Sequence, residues 1–209
     1  MANKGKYYES QFEEATIELL REAHWQYTLG DDIHRKYTDP LIEEDLRNFL
    51  AVQYKDKNLT TSEMDGIVAN LRNTGGQNDY YALRNAFLLY RDGYDFAYSD
   101  SRDNPFRMEY IDFEHPDHNI FRCVNQFVMG QGRENRRPDI LLFINGIPVC
   151  IIELKNPTKQ NATIRDAHTQ ICTRYMRDIP ALLKYCALAV ISDGAKNALG
   201  LSLIHISEP

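Results

Sequence analysis

Residues 137–157 read RPDILLFINGIPVCIIELKNP. The runs LLFI and VCII are continuously apolar, which suits strands covered on both faces, and the Asn145-Gly146 pair between them is a strong hairpin signal. A hairpin of this kind has to lie inside a layered domain. Yet its ends carry Asp139 and the run Glu153-Leu154-Lys155, and charges avoid buried sheets unless they are paired or bind a metal ion. Parity then becomes decisive. A strict two-residue loop sets Asp139 opposite Ile152 and turns Glu153 to the other face. An odd loop count or a β-bulge reverses this, so that Asp139 and Glu153 share a face and Lys155, two residues on, joins them. Pro148 is also easier to place near a strand start or a bulge than deep in a ladder.

If the three converge, their chemistry is specific. Two carboxylates with the backbone carbonyl of Leu154 make an all-oxygen site suited to Mg²⁺. Such an ion polarises a phosphodiester and lowers the pKa of a bound water, while Lys155 orients that water or neutralises developing charge. The alternative is that charged residues simply end strands in solvent, the ordinary reading of any one of them alone.

The rest of the chain reads as a mixed α/β core rather than a regular βαβ array. Residues 8–24 place Phe12, Ala15, Thr16, Leu19, Leu20 and Ala23 at helical spacing opposite an acidic face. Further helices are expected over residues 41–54, over 60–73 with Thr61 or Ser62 as cap, and over 78–93, closed by Gly93. Residues 30–100 are thus mainly a helical insertion. Residues 106–200 supply strands in FRMEYIDFEH, NIFRCVNQFVMG, the hairpin and YCALAVISDG, with a helix over ATIRDAHTQICTRYMRD that puts Ile164, Ala167, Ile171 and Tyr175 on one side.

Composition narrows the partners. The chain of 209 residues has a net charge of −6, whereas a domain that grips duplex DNA by its own electrostatics is usually basic. No apolar run reaches bilayer length and no signal-peptide core is present. The four cysteines form no CxxC pair, which suits a reducing cytoplasm. There is no phosphate-binding GxxxxGK[ST] or GxGxxG loop. The terminal LSLIHISEP follows SDGAKNALG abruptly and looks like translated adapter sequence, so residues 201–209 are set aside from the domain at 1–200 and a longer native chain is expected.

RPD, the fourteen residues from Asp139 to Glu153, and ELK resemble the PD-(D/E)XK nuclease signature. The longer string VNQFVMGQGRENRRPDILLFINGIPVCIIELKNP, together with ESQFEEATIELL and AVISDGAKN, resembles the nuclease domain of type I restriction enzyme R subunits. The resemblance implies a restriction-endonuclease-like core with a helical insertion and a Mg²⁺-dependent type I site-specific deoxyribonuclease. It implies an ATP-driven translocase in the full-length protein, double-stranded DNA as substrate, methyltransferase and specificity subunits as partners, and a cytoplasmic location. Asp139 and Glu153 become metal ligands and Lys155 the catalytic lysine. A stand-alone nuclease, or a non-catalytic docking or DNA-positioning module of the same fold, are the competing readings.

Secondary residues follow from the same likeness. Gln170 with Tyr175 resembles the Gln…Tyr pair that some relatives place after the catalytic hairpin, and Gln170 and Arg174 lie one helical turn apart. Glu13 is the glutamate that the first helix would donate to the metal, although an acidic helix surface accounts for it equally. Arg133, Arg136 and Arg137, just before Pro138, could guide a phosphate backbone despite the acidic total. His115 and His118 have the spacing of a metal pair, but Pro116 in a turn argues against a preformed chelate.

Overall fold

The helical stripe of residues 8–24 forms α1 (Asn3–Glu22) in the computed structural model, which describes residues 3–100, 103–130, 135–155, 168–194 and 196–201. The helix stops without a glycine. His24 takes the left-handed conformation (φ 67°), its N–H bonds to Arg21 O at 3.0 Å and that of Trp25 to Leu20 O at 3.0 Å. This pair of bonds is a Schellman close. It throws the chain directly into β1 (Gln26–Leu29), a strand that the sequence reading did not assign.

Three helices follow: α2 (Glu43–Gln53), α3 (Thr61–Asn73) and α4 (Asp79–Asp92). The cap of α3 is Thr60, one residue earlier than expected. Its hydroxyl accepts from the Glu63 N–H while Glu63 reaches back to the Thr60 N–H at 2.9 Å, a reciprocal capping box. Gly93 closes α4 at φ 68°, as its position in the sequence suggests. Beside these helices β2 (Tyr94–Phe96) and β3 (Phe106–Met108) pair antiparallel as a small separate sheet.

The main sheet has six strands in the order β1-β4-β5-β6-β7-β8, with β4 (Phe121–Asn125), β5 (Ile140–Ile144), β6 (Ile147–Leu154), β7 (Leu188–Ser192) and β8 (Asn197–Leu201). β1–β4 and β6–β7 are parallel and the other neighbours antiparallel. The helix expected after the hairpin is described from His168 onward, so Ile164 and Ala167 lie outside the described residues. Ile171 and Tyr175 are buried on one side of it, as predicted. Residues 202–209 also lie outside the described part.

Because side chains alternate along a strand, the sheet has two apolar faces. One packs Ile140, Cys150, Ile152 and Leu154 against Ile17 of α1. The other packs Leu141, Phe143 and Ile151 against Ile171, Tyr175 and Ile179. A third cluster joins α2, α3 and α4 to β2, β3, Tyr110 and Tyr185. Tyr110 and Tyr185 donate their buried hydroxyls to Ile67 O and Leu71 O, at 2.8 and 2.9 Å, so both carbonyls of α3 are satisfied from the sheet side.

The hairpin tip between β5 and β6 is clamped by the helical region. Asn145 (0% exposed) donates to Tyr110 O at 2.9 Å and Asn119 Oδ1 at 2.7 Å, and accepts from the Ile120 N–H at 2.7 Å. Gly146 O accepts from the Ile42 N–H at 2.9 Å, just ahead of α2. A Cβ on Gly146 would lie 2.1 Å from Ile42 O on a backbone with φ 75°. Gly66, by contrast, lies inside α3 with nothing within 4 Å of its would-be Cβ. Denaturant unfolding should therefore separate the two: Gly66→Ala gains about 0.5–1 kcal/mol from helix propensity, whereas Gly146→Ala loses more than about 2 kcal/mol.

Candidate active site

The parity problem is solved by a bulge. The turn is the strict two-residue type, with Asn145 at φ 51° and Gly146 at φ 75°, both positive as a type I′ turn requires. Ile144 pairs with Ile147 and Phe143 with Pro148, but Leu142 then pairs with Cys150, leaving Val149 as the extra residue. From there Leu141 faces Ile151 and Ile140 faces Ile152. The next positions outward, Asp139 and Glu153, consequently share a face, the one covered by Ile171 and Tyr175. Pro148 stands at the bulge, where a missing N–H is least disruptive.

Asp139 accepts the Leu154 N–H on its Oδ2 at 2.7 Å, which ties the start of β5 to the end of β6. Glu153 is 1% exposed and takes three donors: the Tyr175 hydroxyl on Oε1 at 2.6 Å, and the Gln170 amide and Lys155 ammonium on Oε2 at 3.0 and 3.2 Å. Lys155 Nζ also donates to Gln170 Oε1 at 3.1 Å, and its backbone N–H bonds to Ser192 O at 2.8 Å, fixing where the side chain leaves the sheet. Asp139, Glu153, Lys155 and Gln170 are thus brought together.

Gln170 and Tyr175 reach the same carboxylate because the segment Gln170–Tyr175 is a π-helix. Residues five apart would diverge by about 140° on an α-helix, whereas i→i+5 bonding nearly superposes them. The Gln170 amide accordingly donates to the Tyr175 oxygen at 2.7 Å. Tyr175, grouped with DNA-facing residues in the sequence, is 2% exposed and gives its hydroxyl to Glu153. Arg174 instead points outward.

Glu13 approaches from α1 at the end of β4. Its Oε1 accepts from Asn125 Nδ2 at 2.7 Å and Gln126 Nε2 at 3.2 Å, and it shares no hydrogen bond with the acid pair among the described residues. Its charge nonetheless adds to the field on Asp139. Arg136, Arg137 and Arg174, with Asn135, Gln170 and Tyr175, line a groove of about 420 Å³ beside the acids. Arg177, which the sequence reading passed over, lines it too; an arginine three residues after Arg174 on a helix was the available signal. Arg136 Nη2 is anchored on Asp178 at 2.5 Å. Arg133 lies outside the described residues.

The electrostatics are those of a site short of positive charge. Burial, and then the neighbouring Glu153 carboxylate, push the Asp139 carboxyl from 3.8 up to about 7, against the pull of the Leu154 N–H and Lys155. Burial also raises Glu153, partly offset by Lys155 and the Tyr175 hydroxyl. One ammonium faces two carboxylates, and no described residue donates to Asp139 Oδ1. A hard divalent cation between Asp139, Glu153 and the Leu154 carbonyl would relieve this repulsion with its preferred donors, so the residues present fit Mg²⁺.

The mixed six-stranded sheet, its helices and the acid-acid-lysine cluster at one strand end define a restriction-endonuclease-like domain. The family model described as "Type I restriction enzyme R protein N terminus" matches residues 6–200, and the chain belongs to that family. It is 30% identical over 202 residues, 92% of its length, to the type I restriction enzyme HindI endonuclease subunit of Haemophilus influenzae. It is 31% identical over 196 residues, 90% of its length, to MjaIXP of Methanocaldococcus jannaschii, named for the same kind of subunit. The chain spans 19% of the length of each of these relatives. No helix among the described residues is long and apolar enough to cross a membrane.

The raised carboxyl sets a pH dependence. In metal-free buffer the folded state holds a proton on Asp139 that the unfolded chain has released, over the window from about 4 to 7. Stability contributed by this group is therefore full at low pH and lost as pH rises through about 7. Asp139→Asn should flatten the fall across that window and gain about 1–3 kcal/mol at pH 8 relative to the parent, as measured by denaturant unfolding.

Proposed function

We propose that this domain hydrolyses DNA phosphodiester bonds with Mg²⁺, as the endonuclease part of a type I restriction enzyme subunit. In that reading residues 1–200 are one nuclease domain in which 30–100 form a mainly helical insertion. The observation that carries it is the convergence of Asp139, Glu153 and Lys155 at one strand end, with Lys155 Nζ 3.2 Å from Glu153. A scatter of solvated strand ends would not leave Glu153 1% exposed with three donors.

Each side chain has a task. Asp139, Glu153 and the Leu154 carbonyl would hold the ion, with Glu13 a further carboxylate at the rim. When bound, Mg²⁺ supplies charge stabilisation at the scissile phosphate and acidifies a water. Tyr175 and Gln170 fix the Glu153 carboxylate so that its free lone pairs face the cation. Lys155, held between Glu153 and Gln170, presents an ammonium that orients the attacking water and offsets charge on the phosphate. Arg136, Arg137 and Arg174 line the approach for a phosphate backbone.

The acidic total of −6 leaves the domain weak in DNA affinity on its own. Its working context in this reading is a longer polypeptide with an ATP-driven translocase, assembled with methyltransferase and specificity subunits in the cytoplasm. Residues 201–209 are, in the same reading, an adapter-derived tail.

Three variants test the assignment. Calorimetry with Mg²⁺ or Mn²⁺ should give saturable heat for the parent and none for Asp139→Ala. Lys155→Ala should keep cation binding yet lower cleavage, in the assembled enzyme, by at least about a hundredfold. Equal heats for the parent and Asp139→Ala would favour a docking module without catalysis. The isolated chain should cut plasmid poorly, and robust ATP-independent cleavage at physiological salt would count against the dependence on a partner motor.

A further inference from the structure

A second cluster of metal-binding side chains lies away from the acid pair, on the loop between β3 and β4. We propose that Asp112, His115 and His118 form a binding site for Zn²⁺ or a similar borderline divalent ion, which pins this loop to α2. The site is independent of the nuclease reading.

The carboxylate is the fixed member. The Asp112 side chain is 5% exposed. Its Oδ1 accepts the backbone N–H groups of Glu114 at 3.1 Å and His115 at 2.8 Å, and its Oδ2 accepts Gln53 Nε2, from the last residue of α2, at 3.0 Å. Hydrogen bonding of this kind, behind a ligand, orients it for a metal. The same Oδ2 faces His118 Nδ1 at 3.1 Å and His115 Nδ1 at 3.6 Å.

Those two distances bracket the edge of about 3.3 Å in a tetrahedron whose bonds to a central Zn²⁺ are about 2.0 Å. One ligand atom from each of the three residues falls within 4.8 Å of the others. The turn that argued against a histidine pair in the sequence is what assembles it. Pro116–His118 is a 3₁₀ turn following His115, and residues three apart eclipse in that geometry. The two imidazoles stack at 5.0 Å between centroids and 17° between planes.

Nearly parallel rings need a side-chain rotation before both nitrogens aim at one ion. The rings are 61% and 52% exposed, so that rotation meets little packing. Two imidazoles and one carboxylate suit Zn²⁺ and its neighbours better than Mg²⁺, which prefers an all-oxygen set. The ion class thereby separates this site from the acid pair.

The loop has a structural reach. Asn119 Oδ1 accepts the Asp112 N–H at 2.9 Å and the Asn145 amide at 2.7 Å, so Asp112 is two hydrogen bonds from the hairpin tip. An ion held by Asp112 would stiffen the clamp that sets the β5–β6 register.

The test titrates Zn²⁺ into the metal-stripped chain against a chromophoric chelator and follows thermal unfolding of the same samples. The parent should bind one tight equivalent and melt roughly 5 °C higher at a hundredfold excess over Kd. His115→Ala and His118→Ala should each weaken binding at least tenfold and abolish the rise, with metal-free melting unchanged because both side chains are exposed. Asp139→Asn should bind Zn²⁺ like the parent. Absence of saturable binding in the parent, or parent-like affinity in both histidine variants, would overturn the site. Loss confined to Asp139→Asn would move the ion to the acid pair and overturn it equally, while leaving the nuclease reading standing.

Discussion

One unpaired residue, Val149, decides which face of the sheet carries charge. Side chains on a strand alternate with a period of two, so removing the bulge would rotate every residue from Cys150 to Leu154 to the opposite face. Glu153 would then lie among Ile17, Cys123 and Ile140, where the described residues offer it no donor. With the bulge it meets Tyr175, Gln170 and Lys155. The far end of the hairpin enforces the same register. Asn145 and Gly146 are clamped by Tyr110, Asn119, Ile120 and Ile42, so a slip of one residue would break buried hydrogen bonds at the tip as well as misplace the acids. The helical region thus contributes to the site from the end of the hairpin that it does not touch chemically.

The site is built at a cost in stability. A buried carboxylate is tolerated only when it is paired and hydrogen bonded, and Lys155 supplies one positive charge for two acids. Glu153 receives most of that compensation, because its three donors all come from its own face. Asp139 receives a single backbone N–H, and its proton is held to about pH 7 as a consequence. Local frustration of this sort is expected where function rather than folding selects the residue types. It also gives the apo site a strong preference for a cation over water.

Much of this was readable from residues, and the parts that were not have definable causes. The hairpin, the first helix and the Gly93 close follow from periodicity and from glycine. The shared face of Asp139 and Glu153 was readable only as a requirement, since a bulge leaves no mark in composition beyond a proline at its edge. β1 was missed because His24 fills a left-handed position that glycine usually signals. The cap of α3 fell one residue early because Thr60, Thr61 and Ser62 all have capping side chains, and only the reach of Glu63 chooses among them. The pairing of Gln170 with Tyr175 was visible as a likeness but not as geometry, because a 3.6-residue wheel separates them and the π-helix reunites them.

Net charge was the weakest guide of all. The total of −6 describes the whole surface, whereas a phosphate near the acids would feel what lies within a screening length of about 8 Å at physiological salt. Arg136, Arg137, Arg174 and Arg177 line the same groove. Exposed Glu14 and Glu18 belong to α1, which covers the opposite face of the sheet. Layers packed on a sheet are about 10 Å apart, so these acids are screened from the groove while the arginines are not. An acidic domain can therefore present a basic approach to its own carboxylates, and the sign of the total says more about solubility than about what enters the site.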